Sequence, residues 1–118
     1  MTAASDIKDA VFIYRCYDDE GTLLYVGMTR NVGRRLDEHE RGAAWFRWLA
    51  RTSVHGPLPR AAARDLEARL IQRMSPVFNV DWNTSGASRA YLARRAPDES
   101  AAMDAAMRHA MFGLTLPA

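Results

Sequence analysis

The sequence predicts a small α+β domain, a three-stranded antiparallel sheet flanked by helices, with a C-terminal helical extension. Residues 11–17 and 22–27 are rich in aromatic and branched side chains and are joined by turn residues, which is typical of an antiparallel hairpin. Two later stretches, 31–42 and 59–74, carry apolar residues at helical spacing. The 118 residues, 48% hydrophobic and 25% charged, are enough for one core.

The predicted hairpin places two phenols on one sheet face. Its strands are linked by residues 18–21, an acidic stretch that ends in glycine and is typical of a turn. Because side chains alternate between the faces of a strand, Tyr14 and Tyr25 are expected to share one face, beside Gly27. The opposite face is expected to be apolar, with Val11, Ile13, Leu24 and Val26.

The next segment changes to helical spacing. Asn31 is a suitable N-cap, and the helix is expected to end near Gly42. Arg35 and His39 are one turn apart, so they would share a helix face and could bind one phosphate if that face meets the tyrosines. An ordinary solvated helix face is the alternative.

A second amphipathic helix is predicted to begin at Pro59, which suits the first helical position. Its apolar stripe consists of Ala63, Leu66, Leu70 and Met74. Glu67 lies next to this stripe, at the expected core boundary, where a carboxylate needs a cation or a hydrogen-bonding partner. The alternative is a surface glutamate paired with Arg64 or Arg69.

Three shorter elements complete the predicted domain. Residues 43–49 are expected to form a short helix and residues 51–55 a third strand that ends at Gly56-Pro57. The aromatic residues of the short helix are expected in the core, with stacking on a nucleic-acid base as the alternative for one ring: Trp45, Phe46 and Trp48. Asn79 interrupts an apolar run after Pro76, and its amide is expected to have a structural hydrogen-bonding role.

Together these pieces resemble the GIY-YIG nuclease family. Phe12-Ile13-Tyr14 is followed ten residues later by Tyr25-Val26-Gly27 and then by the string MTRNVGRRLDEH. The pattern E-x3-I-x4-P-x2-N, which occurs in the later part of the family's sequence, follows at Glu67, Ile71, Pro76 and Asn79. Each string alone is weak, but five in this order over residues 10–83 are specific. Phe12 is a departure, because the family's first motif usually opens with glycine.

The resemblance implies a DNA endonuclease and assigns roles to four side chains. Arg35 and His39 fall at the family's arginine and at its His-or-Tyr position. Tyr14 is implied to assist deprotonation of the attacking water, and Arg35 to grip the phosphate and supply the positive charge that a phenol with a pKa of about 10 needs. Tyr25 and His39 are expected to orient the water, the phosphate or Tyr14.

The resemblance also implies a divalent cation, Mg²⁺ or Mn²⁺, held by Glu67 at the family's metal-binding position. Magnesium prefers oxygen ligands and retains several waters, so one protein carboxylate is chemically sufficient. Gly27 and Asn79 are expected to support the site. The alternative function is a non-catalytic or partner-dependent nucleic-acid-binding module on the same scaffold.

Arginines are concentrated around the predicted site. Residues 30–73 hold ten arginines against five acidic residues, although the chain carries only +2 overall. These arginines suit DNA, the partner that the resemblance implies, although charge alone does not establish it; contacts are expected from Arg30, Arg34, Arg35, Arg89, Arg94 and Arg95. A lone cysteine, Cys16, excludes a multi-cysteine zinc site, and neither a signal peptide nor a membrane-spanning run is apparent, which favours a cytoplasmic protein.

The chain is expected to comprise a tail (1–9), the nuclease-like domain (10–83) and a C-terminal part (84–118). Residues 84–88 are predicted to form a loop and residues 97–112 a helix with an apolar stripe of Met103, Met107, Ala110 and Met111. This helix is expected to pack on its own domain, with a homodimer or partner-protein surface and a DNA-contacting arm as alternatives. The family serves homing, restriction, repair and mobile-element processing, and the sequence favours none of these roles.

Overall fold

The computed structural model describes residues 10–79, 86–98, 100, 101 and 105, and the chain divides after Asn79 into two compact units. The elements of the first unit are β1 (Ala10–Tyr17), β2 (Leu23–Thr29), α1 (Val32–Gly42), a short 3₁₀ helix (Phe46–Trp48), β3 (Arg51–Pro59) and α2 (Arg60–Met74). The second unit contains α3 (Gly86–Arg95). The predicted α+β class is confirmed, because the three strands form an antiparallel sheet in the order β2-β1-β3.

The β1–β2 turn forms where the sequence predicts it and is held by Asp18. The buried carboxylate of Asp18 accepts hydrogen bonds from the backbone N–H groups of Glu20 and Thr22, at 2.9 and 2.8 Å. Gly21 has φ +83°, a left-handed conformation that glycine adopts without steric cost. An aspartate that bonds backbone groups two and four residues later explains why this acidic stretch turns.

A register shift in the hairpin changes one predicted contact. Cys16 pairs with Tyr25, whereas the next residue, Tyr17, pairs with Leu23, so Leu24 is an extra residue at a bulge. As a consequence Leu23, rather than Leu24, packs with Val11 in the core cluster. The prediction for Leu24 was wrong, because period-2 alternation fails across a bulge.

The core lies between the sheet and α2. Its buried members are Val11, Ile13, Leu23, Val26 and Ala63, with Leu66, Leu70 and Ile71 of α2 packed against them. The predicted stripe is therefore confirmed except at Met74, which is 41% exposed. Met74 is the last residue of α2, and Ser75 ends the helix in a left-handed conformation with φ +49°, so the stripe extends past the core.

The outer edge of β2 is covered by residues 77–79. The backbone N–H groups of Val77 and Phe78 donate to the carbonyls of Leu23 and Leu24, at 3.2 and 2.9 Å. The Asn79 side chain then bonds both backbone groups of Val26, accepting from its N–H at 2.7 Å and donating to its carbonyl at 2.6 Å. The Asn79 amide thus forms the two hydrogen bonds that a residue of a neighbouring strand would form with Val26.

Other boundaries agree in part with the prediction. Asn31 caps α1 as expected, with its side-chain oxygen accepting from the Arg34 N–H at 3.0 Å. Strand β3 continues beyond Gly56-Pro57 because Leu58 packs on the core and Pro59 pairs with Ala10. Only residues 46–48 of the predicted 43–49 helix are helical.

Helix α3 begins at Gly86, so residues 86–88, which were predicted to belong to a loop, are helical. Residues 84 and 85 and the predicted methionine stripe lie outside the described residues. Among the residues that the structure describes, no helix is long and apolar enough to cross a membrane.

Candidate active site

Tyr14 lies at the centre of the candidate site, with its ring directly on Gly27. The two residues are paired across β1 and β2, and a Cβ atom at Gly27 would overlap the phenol ring and hydroxyl. Only glycine leaves room for this ring, which is 1% exposed. The glycine of the second motif therefore determines where the tyrosine of the first motif lies.

The Tyr14 hydroxyl forms a hydrogen bond with Nε2 of His39, at 2.8 Å. Burial lowers the pKa of His39 to about 4, and the positive charge of Arg35 contributes. Burial also raises the pKa of Tyr14 above its ordinary value, aided by Tyr25, whereas Arg35 lowers it. Burial outweighs Arg35, so Tyr14 and His39 are both neutral at pH 7.

Tyr25, His39 and Trp45 pack against each other beside Tyr14. The Tyr25 ring stacks on Trp45 with centroids 5.2 Å apart and meets His39 edge-on at 5.0 Å. Trp45 also contacts His39 at 4.7 Å and is buried, as its predicted core role requires. Its contact with the site residues was not predicted. The sequence feature that could have indicated this contact is the position of Trp45 just after α1, the helix that carries His39.

Arg35 projects from α1 toward the two phenols. Its guanidinium interacts with the side chains of Tyr14 and Tyr25 and forms an ion pair with Glu38, Nη1 to Oε1 at 2.9 Å. Glu38 also lies 4.0 Å from Nε of Arg34. The Arg35 side chain is 40% exposed, so its donors are accessible to a ligand. Sequence reasoning missed Glu38, although its i+3 spacing from Arg35 was visible.

Glu67 lies on α2, whereas Arg35 and His39 lie on α1 and the two tyrosines lie on the sheet. Partial burial raises the pKa of its carboxyl group, and Arg64 opposes this shift. Among the described residues Glu67 makes no hydrogen bond or ion pair, and none joins it to Tyr14, Tyr25, Arg35 or His39. A partly buried carboxylate with no hydrogen-bond or ion-pair partner among the described residues is chemically suited to a divalent cation.

No cluster of three or more His, Cys, Asp or Glu side chains occurs in the part of the chain that the structure describes. A metal ion at Glu67 would therefore take most of its ligands from water and substrate oxygens. This arrangement fits Mg²⁺, which usually retains several waters and binds substrate phosphates.

The remaining predicted residues occupy varied positions. Asn79 holds the edge of β2 through Val26, and Phe12 contacts Gly56. Cys16 is fully buried, and burial raises the pKa of its thiol to about 11, which does not suit a nucleophile. The arginines predicted to bind nucleic acid are at or partly at the surface, and two of them, Arg94 and Arg95 of α3, lie over the Tyr91 ring at 5.4 and 5.8 Å.

The fold and the phenol, imidazole and guanidinium groups gathered on one sheet face are those of a nuclease-type hydrolase. A model of the GIY-YIG catalytic domain matches residues 10–79, more than half of the chain, so the chain belongs to the GIY-YIG family. The resemblance inferred from the motifs is thereby confirmed.

Two curated relatives are proteins named UvrABC system protein C, from Brucella abortus (strain 2308) and Bartonella quintana (strain Toulouse). Each is 32% identical over 75 residues, which cover 58% of this chain. The match covers only 12% and 11% of these relatives' own lengths. No solved structure gives a significant match.

Proposed function

We propose that this protein is a metal-dependent DNA endonuclease that hydrolyses phosphodiester bonds by attack of water. The observation that carries the proposal is the Tyr14–His39 hydrogen bond beside the Arg35 guanidinium, within a domain of a nuclease family. Phosphodiester hydrolysis needs a proton acceptor near the attacking water and positive charge near the phosphoryl oxygens. These side chains supply both.

The neutral state of Tyr14 determines how it assists. A phenol whose pKa is raised by burial holds its proton at pH 7, so Tyr14 does not act as a preformed phenolate. Its hydroxyl instead donates its proton to Nε2 of His39 while its oxygen accepts the proton of the attacking water. Burial is the main cause of the low pKa of His39, and the positive charge of Arg35 adds to it. A phosphate bound by Arg35 offsets that charge, which makes His39 a better acceptor when substrate is present.

Glu67 is the residue proposed to hold the cation, Mg²⁺ or Mn²⁺. Members of the family generally depend on a divalent metal, and the partly buried carboxylate is available for one. When bound, the metal supplies positive charge at the phosphoryl and leaving oxygens. Tyr25 and Trp45 keep His39 oriented through their ring contacts, and Asn79 keeps β2 in place.

The first experiment is cleavage of supercoiled plasmid and of branched and flapped DNA, with Mg²⁺, Mn²⁺ or EDTA. We expect metal-dependent nicking that falls roughly 100-fold or more in Glu67→Ala, with DNA affinity largely unchanged. Asp65→Ala is the matched control, because Asp65 is an exposed acid on the same helix. This control should cut like the wild type.

Two results would contradict the proposal in different ways. Equal loss of binding and cutting in Glu67→Ala would remove its role as a metal anchor. DNA binding without cutting in the wild type, under every metal condition, would favour the alternative of a nucleic-acid-binding module. That alternative is supported by the exposed arginines of α1 and α3.

A further inference from the structure

An acidic side chain is bonded to the arginine that the proposed mechanism assigns to the phosphate. Glu38 lies one turn beyond Arg35 on α1 and accepts from its Nη1 at 2.9 Å, with Nε of Arg34 at 4.0 Å. The hydrogen bond from Arg35 to Glu38 is the main reason that the pKa of Arg35 is raised. Two arginines on this helix face are thus partly neutralised by one carboxylate.

A carboxylate and a phosphate diester present similar pairs of oxygens to a guanidinium. We propose that Glu38 is an internal competitor of the DNA phosphate for Arg35 and Arg34, and that it lowers the affinity of the protein for DNA. This inference rests on the proposed function, because it requires that Arg35 bind a phosphate of the substrate.

The surroundings of Arg35 favour competition over a positioning role for Glu38. Arg35 also interacts with the side chains of Tyr14 and Tyr25, so its guanidinium has other partners that keep it at the site. Glu38 itself is exposed and has no other hydrogen-bond partner among the described residues, so it can turn into solvent at little cost. If Glu38 stayed in place, its charge would oppose an arriving phosphate.

The consequence is selectivity in binding. Contacts with arbitrary duplex DNA are mostly electrostatic, and a carboxylate that occupies two arginines weakens them. A phosphate that is also placed against Tyr14 and Tyr25 gains further contacts that can offset the loss of the Glu38 ion pair. Glu38 would therefore weaken non-productive binding more than productive binding.

The test is the affinity of Glu38→Gln for a labelled duplex in EDTA, measured by fluorescence anisotropy at low and moderate salt. We expect binding about two- to fivefold tighter than wild type, the range typical of an exposed charge pair. Glu40→Gln is the matched control, since it removes the same charge from the same helix at an exposed residue that forms no ion pair within the described part of the chain. In an Arg35→Gln background the effect of Glu38→Gln should shrink.

Each contrary outcome has a distinct meaning. An equal gain in Glu40→Gln would show a general charge effect and overturn the competitor role, and weaker binding by Glu38→Gln would show that Glu38 positions Arg35. If the wild-type protein binds and cuts DNA but Glu38→Gln has the wild-type DNA affinity, this inference alone is overturned. Wild-type protein that does not bind DNA even at low salt would overturn both the inference and the proposed function.

Discussion

The two faces of β1 have opposite chemistry, although their residues alternate along the same strand. Val11 and Ile13 lie in the apolar cluster with Val26 and Ala63. Tyr14, the next residue along the strand, lies on the other face. Its hydroxyl is hydrogen-bonded to His39 and its ring packs on Gly27. Val11, Ile13 and Tyr14 are each 1% exposed, so both faces contain buried side chains.

The difference shows that burial here serves two purposes. On the core face it stabilises the sheet against α2 through the hydrophobic effect. On the site face it changes proton affinities, since it lowers the pKa of His39 and raises that of Tyr14. Substitutions on the core face should therefore change stability alone, whereas those on the site face should also change catalysis.

The largest expected effect is that of Tyr14→Phe. The ring and its packing remain, but the hydroxyl that passes the proton is lost, so cleavage should fall about 100- to 10,000-fold. Loss of the buried hydrogen bond to His39 should cost about 1 kcal/mol of unfolding free energy. Cleavage kinetics and urea denaturation measure the two effects.

Ile13→Val is the comparison on the core face. Removal of one buried methylene from Ile13, which is 1% exposed, should cost about 0.5–1.5 kcal/mol of stability and leave cleavage at the wild-type rate. A loss of cleavage as large as that of Tyr14→Phe would show that the two faces do not have separate roles.

The next effect is that of Gly27→Ala. The added methyl would overlap the Tyr14 ring, so the ring must move and its bond to His39 is expected to break. Cleavage should fall at least about tenfold and stability by about 1–3 kcal/mol. Gly33→Ala in α1, where the new methyl meets only ordinary contacts, is the control and should have wild-type cleavage. Full activity of Gly27→Ala would contradict the assigned position of Tyr14.

Substitution of Asn79 tests how the outer edge of β2 is held. Asn79→Ala removes both hydrogen bonds to Val26 and should cost about 2 kcal/mol, measured by urea denaturation. Asn79→Asp keeps an acceptor for the Val26 N–H but places negative charge against its carbonyl, so it should not restore stability. If Asn79→Asp were as stable as wild type, the bond donated by Asn79 would be unimportant.

The smallest effect is a dependence of stability on pH that arises from the site face. The pKa of His39 is about 4 in the folded protein, below its ordinary value of 6.5. As the pH falls from 6.5 to 4 the unfolded chain binds a proton that the folded chain does not, so stability should fall, by about 1 kcal/mol after allowance for solvent screening. The buried members of the core cluster have no ionisable side chain.

The check is the pH series of urea denaturation for wild type and His39→Gln. The difference in free energy of unfolding between the two proteins should change between pH 6.5 and 4 and be constant above pH 7. A constant difference throughout would mean that His39 titrates at its ordinary pKa when folded.

Local patterns made much of this molecule predictable from sequence. Strand alternation placed Tyr14 apart from Val11 and Ile13, and the Asn31 cap located the start of α1. The motif order identified the family. These features depend on neighbouring residues or on fixed spacings.

Features that depend on distant contacts were not predictable. The bulge at Leu24 comes from pairing between strands, and the packing of Trp45 on Tyr25 joins residues far apart in sequence. The structural role of Asn79 was expected, but its partner Val26 could not be identified from local pattern. The ion pair of Glu38 with Arg35 is local and its i+3 spacing was visible, but its formation depends on side-chain conformations that periodicity does not determine.

The bond between Asn79 and Val26 also bears on the synthesis of this protein. It joins residues 53 positions apart, so β2 leaves the ribosome well before the residue that completes its outer edge. At about 5–20 residues per second, roughly 3–10 s pass between the two. During that interval the hairpin has an unpaired edge that can join strands of other nascent chains. Cellular yield should consequently be more sensitive to translation speed before codon 79 than after it.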